Sequence, residues 1–158
     1  MGQIVIILGS MTLLLMLSVT VNNAIINKVQ DAYQSESVLA ATTMAQALIQ
    51  EVSLEAFDEN TISAPVDSTP QLTPRIALGK DAAEAYPYFD DLDDYKYYTR
   101  YDTIPNGIFK SAVNVQYVTA TAPDDSSNVA TFYKKISVTV IDSKTMSIPI
   151  TLTNIISY

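Results

Sequence analysis

The chain has no cysteine and no histidine, and its first proline is Pro65. Each gap closes off a class of explanation. Without cysteine there is no disulfide staple, no c-type haem attachment and no thiol nucleophile. Without histidine there is no Ser-His-Asp triad and none of the usual zinc sites. Basic residues are also scarce, nine Lys and Arg against seventeen Asp and Glu, for a net charge of -8. That balance argues against nucleic acid as a partner and against docking on an anionic lipid surface, since both favour Lys/Arg clusters. It suits an outer surface that repels its own kind. The common catalytic residues are absent, and among the Asp and Glu residues no pair is marked out as a glycosidase pair would be. The sequence therefore reads as non-enzymatic, with no cofactor.

What is present first is a long apolar run. No charged residue occurs from Ile4 to Val21, close to the roughly 20 residues that cross a bilayer core about 30 Å thick. A secretory signal peptide has a basic start and a shorter apolar stretch. Here the first basic residue is Lys28, after the run. Two readings of Met1 follow, a mature N-terminus left after a basic leader is removed, or the initiator. Gly9, Ser10, Thr12, Ser18, Thr20, Asn22 and Asn23 interrupt the apolar residues. Small and hydroxyl side chains let apolar helices approach closely, and Gly9-Ser10 is a candidate kink.

With no proline before Pro65, helix is expected to run on to about Phe57, because only proline both removes a helical donor and clashes with the preceding turn. After Asn23 the pattern becomes one-sided. Val38, Ala41, Ala45, Leu48 and Val52 step by three or four residues, a stripe on one helix face. Residues 1–26 are thus an apolar helix, and residues 27–57 its amphipathic continuation.

Residues 58–108 read as linker and loop. Pro65, Pro70 and Pro74 among Ser and Thr mark an extended connection, and Lys80 to Ala85 has room for one helical turn. Four aspartates, Asp90, Asp91, Asp93 and Asp94, then crowd within five positions. Carboxylates suit hard cations such as calcium, but the EF-hand spacing is missing. The four are expected to form a solvated acidic loop, and they stand as secondary candidates for a metal. Around them lie Tyr95, Tyr97, Tyr98 and Tyr101, whose apolar faces and polar tips suit an interface. They are candidates for surface binding, with plain packing over a domain edge as the alternative.

Residues 109–158 alternate with the period of a strand. Phe109 to Thr121 places Phe109, Ser111, Val113, Val115, Tyr117 and Thr119 on one side. Phe132 to Ile141 places Phe132, Ile136, Val138 and Val140 on one face, with Lys135, Ser137 and Thr139 on the other. Asp142 to Thr145 is a short connection. A third strand follows Pro149, which has no donor to give a ladder and so delays the strand or puts it at an edge. An antiparallel meander of three strands is expected. Its apolar face must be covered, and the stripe from Val38 to Val52 is the available cover. The fold class is α+β, a long N-terminal helix packed against a small C-terminal antiparallel sheet.

This order of elements resembles type IV pilins and the related pseudopilins. As architecture the resemblance covers the whole chain; in residues it rests mainly on Met1 to Phe57. The family usually has a glutamate at the fifth mature position. Here that position holds Val5, or Ile7 if the mature chain begins at Gln3. The C-terminal disulfide common in the family is missing as well. The resemblance implies a non-catalytic subunit of an extracellular filament on the cell surface, held in the inner membrane before assembly, with copies of itself as partner. Ile4, Ile7, Leu8, Leu13, Leu14, Leu15, Leu17, Val21 and Ile25 would then be the assembly core. The alternative is a single-pass membrane-anchored extracellular binding domain that uses the acidic, tyrosine-rich loop.

Overall fold

The structure is a computed structural model, described for every residue except Met1, Ala83, Asn106, Ser143, Thr145 and Ser147. It divides into two units, Met1–Glu36 and Ser37–Tyr158. Helix α1, Gly2–Val52, is continuous over 51 residues and runs through Gly9-Ser10 without a break, a length of about 77 Å at 1.5 Å per residue. Its hydroxyl side chains turn inward on the helix. Ser10 Oγ donates to Ile7 O at 2.9 Å, Thr12 Oγ1 to Gly9 O at 2.8 Å and Thr20 Oγ1 to Met16 O at 2.8 Å. The helix thus satisfies these polar groups itself and can sit in an apolar surrounding.

The helix stops at Val52, five residues before the expected end at Phe57. Ser53 still donates to Ile49 O at 2.9 Å, but Leu54 and Glu55 bond three residues back, to Glu51 O and Val52 O, the tightening usual at a helix end. The next backbone groups are then taken by the acidic segment. Ala56 N donates to Asp90 O at 3.0 Å, and Leu92 N donates to Ala56 O at 2.9 Å. That non-local pairing had no sequence signal. Asp58, at the start of the stretch expected to be linker and loop, instead opens a short helix, α2, Glu59–Ile62, through a reciprocal cap with Thr61.

In the second unit the sheet has four antiparallel strands, not three, in the order β1-β2-β3-β4: Thr99–Ile104, Gly107–Tyr117, Tyr133–Asp142 and Ile150–Ser157. Strand β1 lies in the stretch expected to be loop. It carries no apolar alternation because it is an edge strand whose residues are exposed or half-buried. Strands β2 and β3 follow the expected alternation, with Val113 opposite Val138 and Val115 opposite Ile136. Strand β4 begins just after Pro149 and lies at the other edge. The β3–β4 connection lies partly outside the described residues.

The C-terminal part of α1 covers the apolar face. Ala41, Ala45, Leu48 and Val52 are fully buried in one cluster with Phe109, Val113, Val115, Ile136, Val138 and Val140. Val38, expected in this stripe, is 36% exposed, and Ser37 is buried in its place. The buried row runs Ser37, Ala41, Ala45, Leu48 and Val52, one step round the helix from Val38. Leu48→Ala is expected to destabilise the domain by about 2–5 kcal/mol, because it opens a cavity at the centre of the contact. Val38→Ala should stay within about 0.5 kcal/mol. Urea unfolding of both variants checks the corrected face, and equal losses would refute it.

The stretch read as an extended linker is also folded into this core. Val66, Leu72 and Leu78 are buried. Val66 N donates to the Tyr158 hydroxyl at 2.9 Å, which ties the stretch to the last residue.

Candidate functional site

Two features bear on function. The first is the segment from Gly2 to Glu36, in which every residue is exposed. It includes all nine residues of the candidate assembly core, from Ile4 to Ile25. This is the one helix, among the described residues, long and apolar enough to cross a membrane, and none of its apolar window is buried. Leu14, Leu17, Val21 and Ile25 share one side with Ser18 and Asn22 and frame a shallow notch. Such a notch, with the small Ser18 among its lining residues, is the shape another apolar helix packs into. Ile25 and Ile26 continue the exposed apolar residues up to the first charge at Lys28, and Val29 and Tyr33 carry them past it.

The second feature is the acidic stretch, and it is not a solvated loop. Asp91, Asp93 and Asp94 are buried, and of the four only Asp90 is exposed. Asp91 Oδ1 accepts the backbone N–H of Asp93 at 2.6 Å and of Asp94 at 3.0 Å. It thereby shapes a short 3-10 turn over Asp93–Tyr95. The turn presents Asp93 to a lysine that the sequence reading missed. Lys134 on β3 is fully buried. Its three donors are all used, on Phe57 O at 2.6 Å, Asp93 Oδ1 at 2.6 Å and Asp58 Oδ2 at 3.0 Å. The rings of Phe57 and Tyr117 lie 4.7 and 5.0 Å from the same ammonium. Asp58 also accepts the Tyr117 hydroxyl at 2.9 Å and the Thr73 N–H at 3.1 Å. This network links α1's exit, the middle stretch and the sheet through one buried cation.

A signal for Lys134 was present. It shares the parity of Phe132, Ile136, Val138 and Val140, so strand geometry points it at the core. A lysine goes there only with partners for its charge, and the nearby sequence offers none. The partners come from 41 and 76 residues away.

The carboxyls respond to burial differently. Burial raises Asp58, but the Lys134 ammonium and the bonds from Lys134, Thr73 and Tyr117 outweigh it and hold the group below its ordinary value. Burial pushes Asp93 up to about 7 despite Lys134. It pushes Asp91 up to about 6. Glu84 is pushed up to about 7, first by its contact with the Asp94 carboxyl and then by burial. A carboxyl whose folded value is raised binds its proton more tightly folded than unfolded. Its contribution to stability is complete below the unfolded value and is lost as pH rises through the folded one. The midpoint of thermal unfolding in chelator-containing buffer is therefore expected to fall by several degrees between about pH 5 and about pH 8, an interval in which no histidine titrates. A midpoint that rises over that interval would overturn this account. Asp58 works in the opposite sense, and only below its ordinary value of 3.8.

The tyrosines divide in two. Tyr95 is 2% exposed and packs on Phe89 and Tyr98 at centroid distances of 5.0 and 5.8 Å, and Tyr98 in turn stacks on Tyr86 at 5.1 Å. Its hydroxyl donates to Glu51 at 3.4 Å. Tyr95 and Tyr98 are therefore packing residues. Tyr97 and Tyr101 are exposed. Tyr97 holds φ at 65°, a backbone region that L residues other than Asn and Asp seldom occupy. Two bonds keep it there, Tyr97 N to Val113 O at 3.0 Å and Val113 N to Tyr98 O at 2.9 Å. Lys96 lies 5.2 Å from its ring.

No family model, no curated protein and no solved structure matches this chain.

Proposed function

We propose that this protein is the structural subunit of a helical extracellular filament of the type IV pilus kind, built by bundling its apolar N-terminal helices. The observation that carries the reading is the exposed apolar segment of α1. An apolar helix leaves water only for lipid or for protein. Lipid alone accounts for part of it, since about 20 residues span a bilayer. Ile25, Ile26, Val29 and Tyr33 continue the exposed apolar surface past that length. Copies of the same helix can cover both parts. In this reading the helix waits in the membrane and is then transferred to the filament core. A head-to-tail contact that does not close on itself propagates such a filament. The net charge of -8 keeps the outer domains apart and soluble. The chain acts without catalysis, and its partner is another copy of itself.

The second reading is a single-pass anchored binding domain. The observation favouring it is Tyr97, 75% exposed on a constrained backbone. Electron microscopy of sheared cell-surface material separates the two. Filaments containing this chain are expected, and its recovery only in membranes as single copies would refute assembly.

A further inference from the structure

The acidic stretch leads into a ridge with a hollow on each side. Lys96 and Tyr97 form the ridge. With Arg75, Asn114 and Gln116 they border one hollow of about 360 Å³. With Lys80 and Tyr98 they border another of about 470 Å³. Small-molecule sites have volumes of this order. Tyr97 is 75% exposed, yet holds φ at 65°. Asparagine or glycine would sit there with less strain, and a ring this exposed adds little burial in return. Strain of this kind collects at binding sites. The cations around the ring lack a counter-charge. Among the described residues the ion pairs use Arg100, Lys134 and Lys135, not Arg75, Lys80 or Lys96. They stay unpaired although acids outnumber bases seventeen to nine. Asn114 and Gln116 lie two apart on β2 and so share a face. Both are half-buried, and among the described residues neither side-chain amide has a hydrogen-bond partner.

We propose that the ridge and its two hollows bind a short glycan carrying a carboxylated sugar. A sugar ring has an apolar C–H face and a rim of hydroxyls. Tyr97 offers an exposed aromatic face to the first. The amides of Asn114 and Gln116 both donate and accept, which suits the second. Arg75 and Lys96 suit the carboxylate, and a guanidinium takes it by two parallel bonds. A hollow on each side of the ring leaves room for a sugar before and after the stacked one. An extended peptide fits less well, because it is held by adding to a free sheet edge, and β2 lies inside the sheet. The net charge of -8 repels a long polyanion, so the carboxylates on the glycan must be sparse. The site belongs to the domain Ser37–Tyr158 and stands whether α1 is bundled in a filament or held in a membrane.

The test is isothermal titration of the full chain in uncharged detergent at low ionic strength. The probes are sialyllactose and a glucuronate-bearing trisaccharide, each against its neutral parent sugar, and a triglutamate peptide. At least one acidic glycan should bind one to one, about tenfold more tightly than its neutral parent, and more weakly as salt is added. Tyr97→Asn suits the backbone at φ 65°, so it should unfold no earlier than the parent chain. It should still weaken glycan binding by about tenfold. Arg75→Gln and Lys96→Gln should lose the preference for the acidic glycan and keep the binding of the neutral one. Tyr101→Asn, at an exposed tyrosine that borders neither hollow, should leave binding unchanged. No binding of either acidic glycan, equal binding of the triglutamate peptide, or full binding by Tyr97→Asn would each overturn the proposal. If a variant does not fold, the choice the parent chain makes among the probes decides.

Discussion

Leu14→Asp is expected to abolish filament assembly while leaving the domain Ser37–Tyr158 folded. Leu14 is exposed, in the middle of the uncharged run, so its replacement disturbs nothing inside the domain. An aspartate at the centre of an apolar helix costs about 2.5–3.5 kcal/mol on the insertion scale, against about 0.3–0.6 kcal/mol gained from each Leu, Ile or Val. Ten other Ile, Leu and Val residues remain between Ile4 and Val21. Membrane insertion should thus be weakened but largely kept. A filament core differs because the charge recurs in every subunit and meets the charges of its neighbours. The expected result is protein in the membrane fraction, native circular dichroism of the domain and no filaments. Normal filaments from the variant would refute the bundled-helix reading, and a membrane anchor alone would leave nothing to abolish.

Lys134→Ala is the substitution expected to harm the domain most. It removes the one cation from a site with two buried carboxylates, Asp58 and Asp93, at 3.0 and 2.6 Å. Breaking a buried pair on one side costs about 3–5 kcal/mol, because the remaining charge is left unpaired. A domain is stable by only about 5–15 kcal/mol, so much of the variant should be unfolded at growth temperature. The cost is one of imbalance, and that can be tested separately. Lys134→Met combined with Asp58→Asn and Asp93→Asn removes both signs together and should recover much of the loss. Chemical denaturation of the two variants decides it. A loss below about 1 kcal/mol for Lys134→Ala would mean the buried charges are already neutral.

The sequence was most informative where a pattern repeats locally. The uncharged run and the missing proline specify one long helix, and the alternation in β2 and β3 puts Phe109, Val113, Val115, Ile136 and Val138 on one inner face. The stripe of Ala41, Ala45, Leu48 and Val52 was equally legible, because helix and strand periods are properties of neighbouring residues. Val38 failed only because a stripe edge is set by what packs against it. Edge strand β1 escaped notice because its inward side is only half-buried and carries Arg100 and Asp102, so it has no apolar period to display.

The candidate sites were legible only in part. The nine residues proposed for the assembly core follow from the apolar start together with the family resemblance, and each of them is exposed on α1. The acidic stretch was located correctly and given the wrong environment. Four aspartates in five positions look solvated when nothing in the sequence shows a partner for them. Lys134 reaches them across 41 residues to Asp93 and 76 to Asp58, and Glu59 and Glu84 join Asp90 only through the fold. Local chemistry, then, was enough to determine the long helix, three of the four strands and the exposed apolar surface. Which charges are buried, which tyrosines are free and which carboxylates converge was decided by tertiary structure alone. Burial and charge pairing depend on groups distant in the chain, and no period in the sequence records them.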